Sequence, residues 1–151
     1  MLYAEIKALA NDLSYRVFGL SDGTTSNRVI FYYNPNSNNI EAFVSSGGAS
    51  QSTLSFTFSD ITEFHKVAVK YKQNDFALWV DGLERGVDAS GVAPVGLNEL
   101  LFNNGAGVQN LYANAKSVMV FKEALTDLEL AKLTGYNNHE LYMNCLLYTS
   151  D

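Results

Sequence analysis

The stretch from Lys66 to Asp81 constrains the chain most, because only one register gives both of its faces a purpose. It reads Lys-Val-Ala-Val-Lys-Tyr-Lys, then Gln73-Asn74, then Asp-Phe-Ala-Leu-Trp-Val-Asp. With Gln73-Asn74 as a two-residue turn, Lys72 faces Asp75, Tyr71 faces Phe76, Val69 faces Leu78, Val67 faces Val80 and Lys66 faces Asp81. One face is then wholly apolar and the other sets opposite charges against each other at both ends. Each such cross-strand pair adds about 0.2–1 kcal/mol. A slip of one residue spoils both faces, so the segment is an antiparallel hairpin with one side in a core. Its other side carries Lys66, Lys70, Lys72 and, opposite Ala68, Trp79, the single tryptophan of the chain.

Runs of the same kind recur at 2–7, 15–21, 28–33, 40–45, 53–58, 99–103 and 115–122, separated by turn-forming clusters such as Asp22-Gly23-Thr24-Thr25-Ser26-Asn27 and Asn34-Pro35-Asn36-Ser37-Asn38-Asn39. Short, regularly spaced strands with Asn, Asp and Gly between them predict a sandwich or barrel. Nine Tyr and nine Phe against two Pro favour strands in the same direction. One helix is expected at 126–134, where Thr126 and Glu129 fit a capping box and Gly135 suits a left-handed position after the last turn. Leu130 and Leu133 are expected to lie on the sandwich edge. With 151 residues the chain has room for one domain.

The formal charge is −6, and the ten basic residues are scattered. That distribution argues against a nucleic-acid partner. No stretch approaches the roughly 18 apolar residues that span a bilayer, so membrane insertion is not expected.

The order of these pieces resembles laminin G-like and pentraxin-like members of the concanavalin A-like lectin and glucanase superfamily. The resemblance lies in His65–Tyr71 with Phe76–Gly82 as a central hairpin and in Lys116–Leu130 as last strand and closing helix. It implies an all-β fold, an antiparallel two-sheet jelly-roll sandwich over residues 1–136, and leaves open a first strand before Met1. A third segment, Leu2–Ile6 with Ser21–Thr24 and Asn27–Val29, is similar to versions in phage tail-fibre and virion structural proteins. What that implies is a module displaying rim loops to a host surface or glycan, in a virion assembled in the host cytoplasm. Its partners would be other virion proteins, with trimerisation through parent segments outside this sequence. A purely structural virion domain and a secreted bacterial adhesion module remain as alternatives.

Sugar-cleaving relatives on this fold need carboxylates at alternate positions of one strand, aimed into one cleft. No such array is present, and no enzymatic activity is expected. His65 and His139 are far apart in sequence, which gives little support to a zinc site or a hydroxyl-activating triad. For sugar binding, Trp79, Tyr32 and Tyr112 are the candidate aromatic platforms, against burial as the alternative for Trp79. Calcium is the cofactor the resemblance raises. Asp22, Asn27 and Asp81 are candidate oxygen donors, although the same residue types are ordinary turn formers.

Residues 137–144 read as a linker or truncated continuation. Cys145-Leu-Leu-Tyr-Thr-Ser-Asp151 matches the translation of a transposase sequencing adapter, TGT CTC TTA TAC ACA TCT GAC. That segment is expected not to be protein-coding sequence and so carries no information about the fold.

Overall fold

Alternation of side chains builds two layers. In the computed structural model, which describes residues 1–135, ten strands and one helix follow in the order β1 (Leu2–Ala8), β2 (Arg16–Ser21), β3 (Arg28–Tyr33), β4 (Asn39–Ser46), β5 (Ala49–Thr57), β6 (His65–Lys72), β7 (Asp75–Val80), β8 (Leu83–Asp88), β9 (Glu99–Leu101), β10 (Ala113–Val120) and α1 (Asp127–Thr134). They form two five-stranded antiparallel sheets, sheet I in the order β10-β1-β6-β7-β8 and sheet II in the order β5-β4-β3-β2-β9. The expected linker, Cys145, His139 and the adapter-like tail lie outside the described residues.

The core is the alternating inner face of each sheet. Leu2, Ala4 and Ile6 of β1, Val67 and Val69 of β6, and Phe76, Leu78 and Val80 of β7 come from sheet I. They meet Phe18 and Leu20 of β2, Val29, Phe31 and Tyr33 of β3, and Ile40, Ala42 and Val44 of β4. Phe18 and Phe31 stack with ring centroids 5.4 Å apart. The outer face of β2 passes so close to β3 that a Cβ at Gly19 would lie 2.2 Å from the Val29 carbonyl oxygen, so only glycine fits there.

The central hairpin keeps the expected register, with Lys72 opposite Asp75, Tyr71 opposite Phe76, Val69 opposite Leu78, Ala68 opposite Trp79 and Val67 opposite Val80. Its charges pair differently. Lys70, not Lys72, reaches Asp75, with Nζ 2.7 Å from Oδ1, and Lys66 turns away from the Asp81 side chain to donate to the Gly135 carbonyl at 2.8 Å. Strand twist brings diagonal neighbours as close as opposite ones, and the long lysine stems choose among them.

The helix is capped as expected: Thr126 Oγ1 accepts from Glu129 N–H at 3.3 Å, and Glu129 Oε2 accepts from Thr126 N–H at 2.9 Å. Two expectations about it are corrected. Gly135 is extended, with φ −89° and ψ −171°, because its N–H closes the last turn onto Ala131 and the chain then runs past Gly82. The helix also covers a face and not an edge. Leu130 is fully buried against Ala68, Ala77 and Trp79, on the outer face of the interior strands β6 and β7, where Met1 and Tyr3 complete a second small core. Edge strand β8 and the first half of β5 extend beyond the predicted runs, since their residues are mostly exposed and show no apolar alternation.

Candidate functional site

Because Val29, Phe31 and Tyr33 of β3 point inward, the intervening Arg28, Ile30 and Tyr32 form its outer face, flanked by Phe43 and Glu41 of β4 and Val17 of β2. The connection from β9 to β10 folds back over this face. It is fastened there by the Val17 N–H donating to the Gln109 carbonyl at 3.1 Å and by the pairing of Val17 with Asn110. The connection holds its own shape through Asn103 and Asn104, whose side-chain oxygens accept from the N–H groups of Gly105 and Ala106 at 2.8 Å each. The result is an open cleft of about 190 Å³ lined by Tyr15, Arg28, Tyr32 and Phe43 together with Asn104 and Gln109 of the connection.

Tyr15 and Tyr32 lie 5.9 Å apart at 48°, giving two tilted rings at the cleft wall. Tyr32 stands directly opposite Glu41 on β4. Burial, and then the neighbouring carboxylate, push its phenol well above the ordinary tyrosine range, so it stays a neutral hydroxyl. Arg28 lies over the Phe43 ring at 5.5 Å and donates from Nη1 to the Asn104 carbonyl. Burial lowers the guanidinium from its ordinary value, but an arginine remains cationic at neutral pH. Its Nε is shielded from solvent and has no hydrogen-bond partner among the described residues.

Of the three candidate platforms, only Tyr32 enters this cleft. Tyr112 is half exposed with Arg16 5.4 Å above its ring, outside the cleft lining. Trp79 is corrected: it is 7% exposed beneath α1, in contact with the second core, so its ring has no face to offer a sugar. The candidate calcium donors do not converge. Asp22 and Asn27 share a loop, but Asp22 accepts from Thr24 N–H at 2.9 Å, Thr24 Oγ1 at 2.7 Å and Asn27 Nδ2 at 2.8 Å, while Asn27 Oδ1 accepts from Gly47 N–H. Asp81 follows β7 of the other sheet and is bound to His65 and Lys66. Among the described residues no group of three or more His, Cys, Asp or Glu could hold a metal ion.

Arg28 does not stand out in the sequence. A signal is nevertheless there: a cation in an otherwise apolar strand, two residues from Ile30 and four from Tyr32, so on their face. What the sequence lacks is the β9–β10 connection closing over that face.

A second cleft, of about 340 Å³, lies beside the end of α1 and includes Glu5, His65, Lys66, Asp81 and Lys116. Most of these charges already have partners, Lys66 among them through the Gly135 carbonyl. His65 contacts Asp81 and the Asp60 carbonyl, and Lys116 lies 3.6 Å from Glu5. Both imidazole nitrogens are engaged, which leaves none to take a proton from a substrate hydroxyl.

No family model and no curated protein matches the sequence. Solved structures do match in fold. The CBM40 module of the Ruminococcus gnavus IT-sialidase superposes with a TM-score of 0.71 over 89% of this chain and 82% of that one, at 15% identity. The chain is an all-β jelly-roll sandwich. The same CBM40 bound to α2,3-sialyllactose matches this jelly roll with a TM-score of 0.70 at 14% identity, over 89% of this chain and 81% of that one. A heptameric SAP-like pentraxin from Limulus polyphemus gives 0.61 at 13% identity, covering 89% of this chain and 68% of that one. The leech intramolecular trans-sialidase gives 0.67 at 16% identity, with 91% of this chain matched to 23% of that protein. At these identities the likeness establishes the fold alone, and the function of the jelly roll has to be argued from its own residues.

Proposed function

We propose that this jelly-roll module binds carbohydrate without cleaving it, in the cleft between Tyr15, Tyr32 and Arg28 on the outer face of sheet II. The observation that carries the reading is the combination in one open cleft of tilted aromatic rings with guanidinium and amide donors. Aromatic faces pack against the apolar C–H side of a pyranose, and a few fixed donors then orient its hydroxyls. Tyr32 stands on an interior strand and Tyr15 immediately precedes another, so little conformational freedom is lost when a sugar docks. Support from outside the chain is the recurrence of this fold in a module solved with sialyllactose.

The finer reading is a module of a phage tail fibre or virion appendage that presents this cleft to host-surface glycans. The similarity of Leu2–Ile6, Ser21–Thr24 and Asn27–Val29 to such proteins supports it. Tail, baseplate or capsid genes beside the coding sequence are the expected finding, whereas secretion and cell-wall genes would assign the module to a bacterial surface.

Binding is tested by titrating glycans into labelled protein and following the backbone resonances of Val17, Ile30 and Tyr32. Perturbation centred on these residues, weakened at least tenfold in Tyr32→Ala with unchanged thermal stability, is expected. Saturating glycan with no perturbation anywhere would leave a purely structural domain.

A further inference from the structure

We propose that Arg28 makes the sheet II cleft selective for sugars bearing a carboxylate over their neutral counterparts. The inference rests on the carbohydrate-binding reading above and names the class of sugar.

The three arginines of the chain are treated differently. Arg16 grips Asp12 through Nε at 3.2 Å and Nη2 at 2.6 Å. Arg85 stacks on Phe56 at 4.5 Å, on an exposed edge strand. Arg28 is the one placed in a cleft, and among the described residues no carboxylate lies within ion-pairing distance of it. The nearest acid on the facing strand, Glu41, stands opposite Tyr32 and accepts from Asn34 Nδ2 at 2.9 Å. A half-buried guanidinium without a counter-charge is costly, because water has been removed and one carbonyl and an aromatic face replace it only in part. A ligand carboxylate entering the open side of the cleft would remove that cost.

Charge favours a carboxylate over a hydroxyl. The Nη1 side of the guanidinium is committed to the Asn104 carbonyl, and Phe43 covers one face. Nε is shielded from solvent, which leaves Nη2 as the donor a ligand can reach, and a charged acceptor gains most from such a bond. A sugar hydroxyl can accept the same bond but brings no charge to offset that of the guanidinium. Tyr15 and Tyr32 supply the surface for the ring that carries the acid.

The test compares 3′-sialyllactose, its methyl ester, lactose and digalacturonate on the full chain, by calorimetry and by the resonances of Val17, Ile30 and Tyr32. The free acids are expected to bind about 10- to 100-fold more tightly than the ester and lactose, the worth of a charge-assisted hydrogen bond. Whether sialate or galacturonate binds better tells which ring carries the acid, and either result supports the proposal. In Arg28→Gln the preference is expected to vanish while weak neutral-sugar binding persists, and Arg28→Lys should keep part of it. Equal affinity for ester and acid in the wild-type protein, which requires no variant to fold, overturns the acid selectivity and leaves glycan binding standing. If none of the four sugars perturbs the cleft, the carbohydrate reading falls and this inference with it.

Discussion

Nδ1 of His65 lies 2.7 Å from Oδ2 of Asp81, and Nε2 of the same ring lies 2.8 Å from the Asp60 carbonyl oxygen. Both nitrogens therefore face acceptors, an arrangement satisfied only when both carry protons. Burial beneath Phe58 pulls the imidazole toward neutrality, but Asp81 and the Asp60 carbonyl outweigh it and the net shift is upward. Asp81 is shifted down: burial opposes this, and the bonds from His65 and from the Lys66 N–H prevail. The pair joins the start of β6, and through the Asp60 carbonyl the loop before it, to the β7–β8 turn, which Thr134 of α1 also grips by accepting from Gly82 N–H at 3.2 Å.

A pH prediction follows from these signs. A histidine raised above its unfolded value stabilises fully below about pH 6.5 and loses that contribution as pH rises through its folded value. The lowered Asp81 contributes above about pH 4 and is lost as pH falls through its own folded value. The pair should thus stabilise most between about pH 4 and 6.5. Asp81 is well exposed, so the effect stays below about 1 kcal/mol, or about 1–3 °C in Tm. The Tm difference between wild type and His65→Gln should be larger at pH 5.5 than at pH 8.5. A difference that does not change with pH would show that the ring acts only by packing.

Trp79 is predicted to be a stability residue with no part in binding. Its ring fills the space between Ala68, Ala77 and Leu130, and truncation to Ala should cost about 3–5 kcal/mol in denaturant unfolding followed by circular dichroism. Leu130→Ala should act in the same direction, by about 2–5 kcal/mol. Under conditions where Trp79→Ala is folded, its glycan affinity should equal that of the wild type. A selective loss of affinity would return the tryptophan to the binding surface.

Gly19→Ala should be disproportionately harmful for one methyl group. Its Cβ would meet backbone, the Val29 carbonyl at 2.2 Å and Ile30 Cα at 2.7 Å, and backbone cannot rotate away as a side chain can. Forcing β2 and β3 apart should cost about 1–3 kcal/mol or more and lower Tm accordingly. Because β3 carries Arg28 and Tyr32, glycan affinity should fall with it. A neutral substitution would mean that the two strands are not so closely packed.

The capping box offers a double-mutant test of α1. Thr126→Ala removes the acceptor for Glu129 N–H and should cost about 1 kcal/mol, and Glu129→Ala removes the reciprocal bond. If the two act as one device, the double variant should lose less than the sum of the singles. Additive losses would show two independent contacts.

Several parts of the fold are legible in the sequence because they depend on residues close together along the chain. The hairpin register follows from period-two alternation across a two-residue turn, and the start of α1 follows from a box spanning Thr126 to Glu129. Edge strand β8 is not legible. Leu83, Glu84, Arg85 and Val87 are all exposed, and a strand paired on one side with little of its surface buried leaves no pattern to distinguish it from a loop. The candidate site divides in the same way. Tyr32 is visible as an aromatic on the outward side of its strand, whereas Arg28 becomes notable only once Asn104 and Gln109, some eighty residues further on, close over it.

By itself, then, the sequence determined which residues alternate inward, how the hairpin pairs and where the helix begins, since each is decided by contacts a few residues apart. The tertiary structure alone decided that Trp79 lies under a helix while Arg28 lies in a cleft with no acid beside it. Both residues sit on the outer faces of interior strands, and their local sequences offer no means of telling a face that is covered from one that stays open. That difference is made by segments distant in the chain: α1 settles on sheet I and buries its tryptophan, while the β9–β10 connection walls one side of the sheet II face and leaves the other side open.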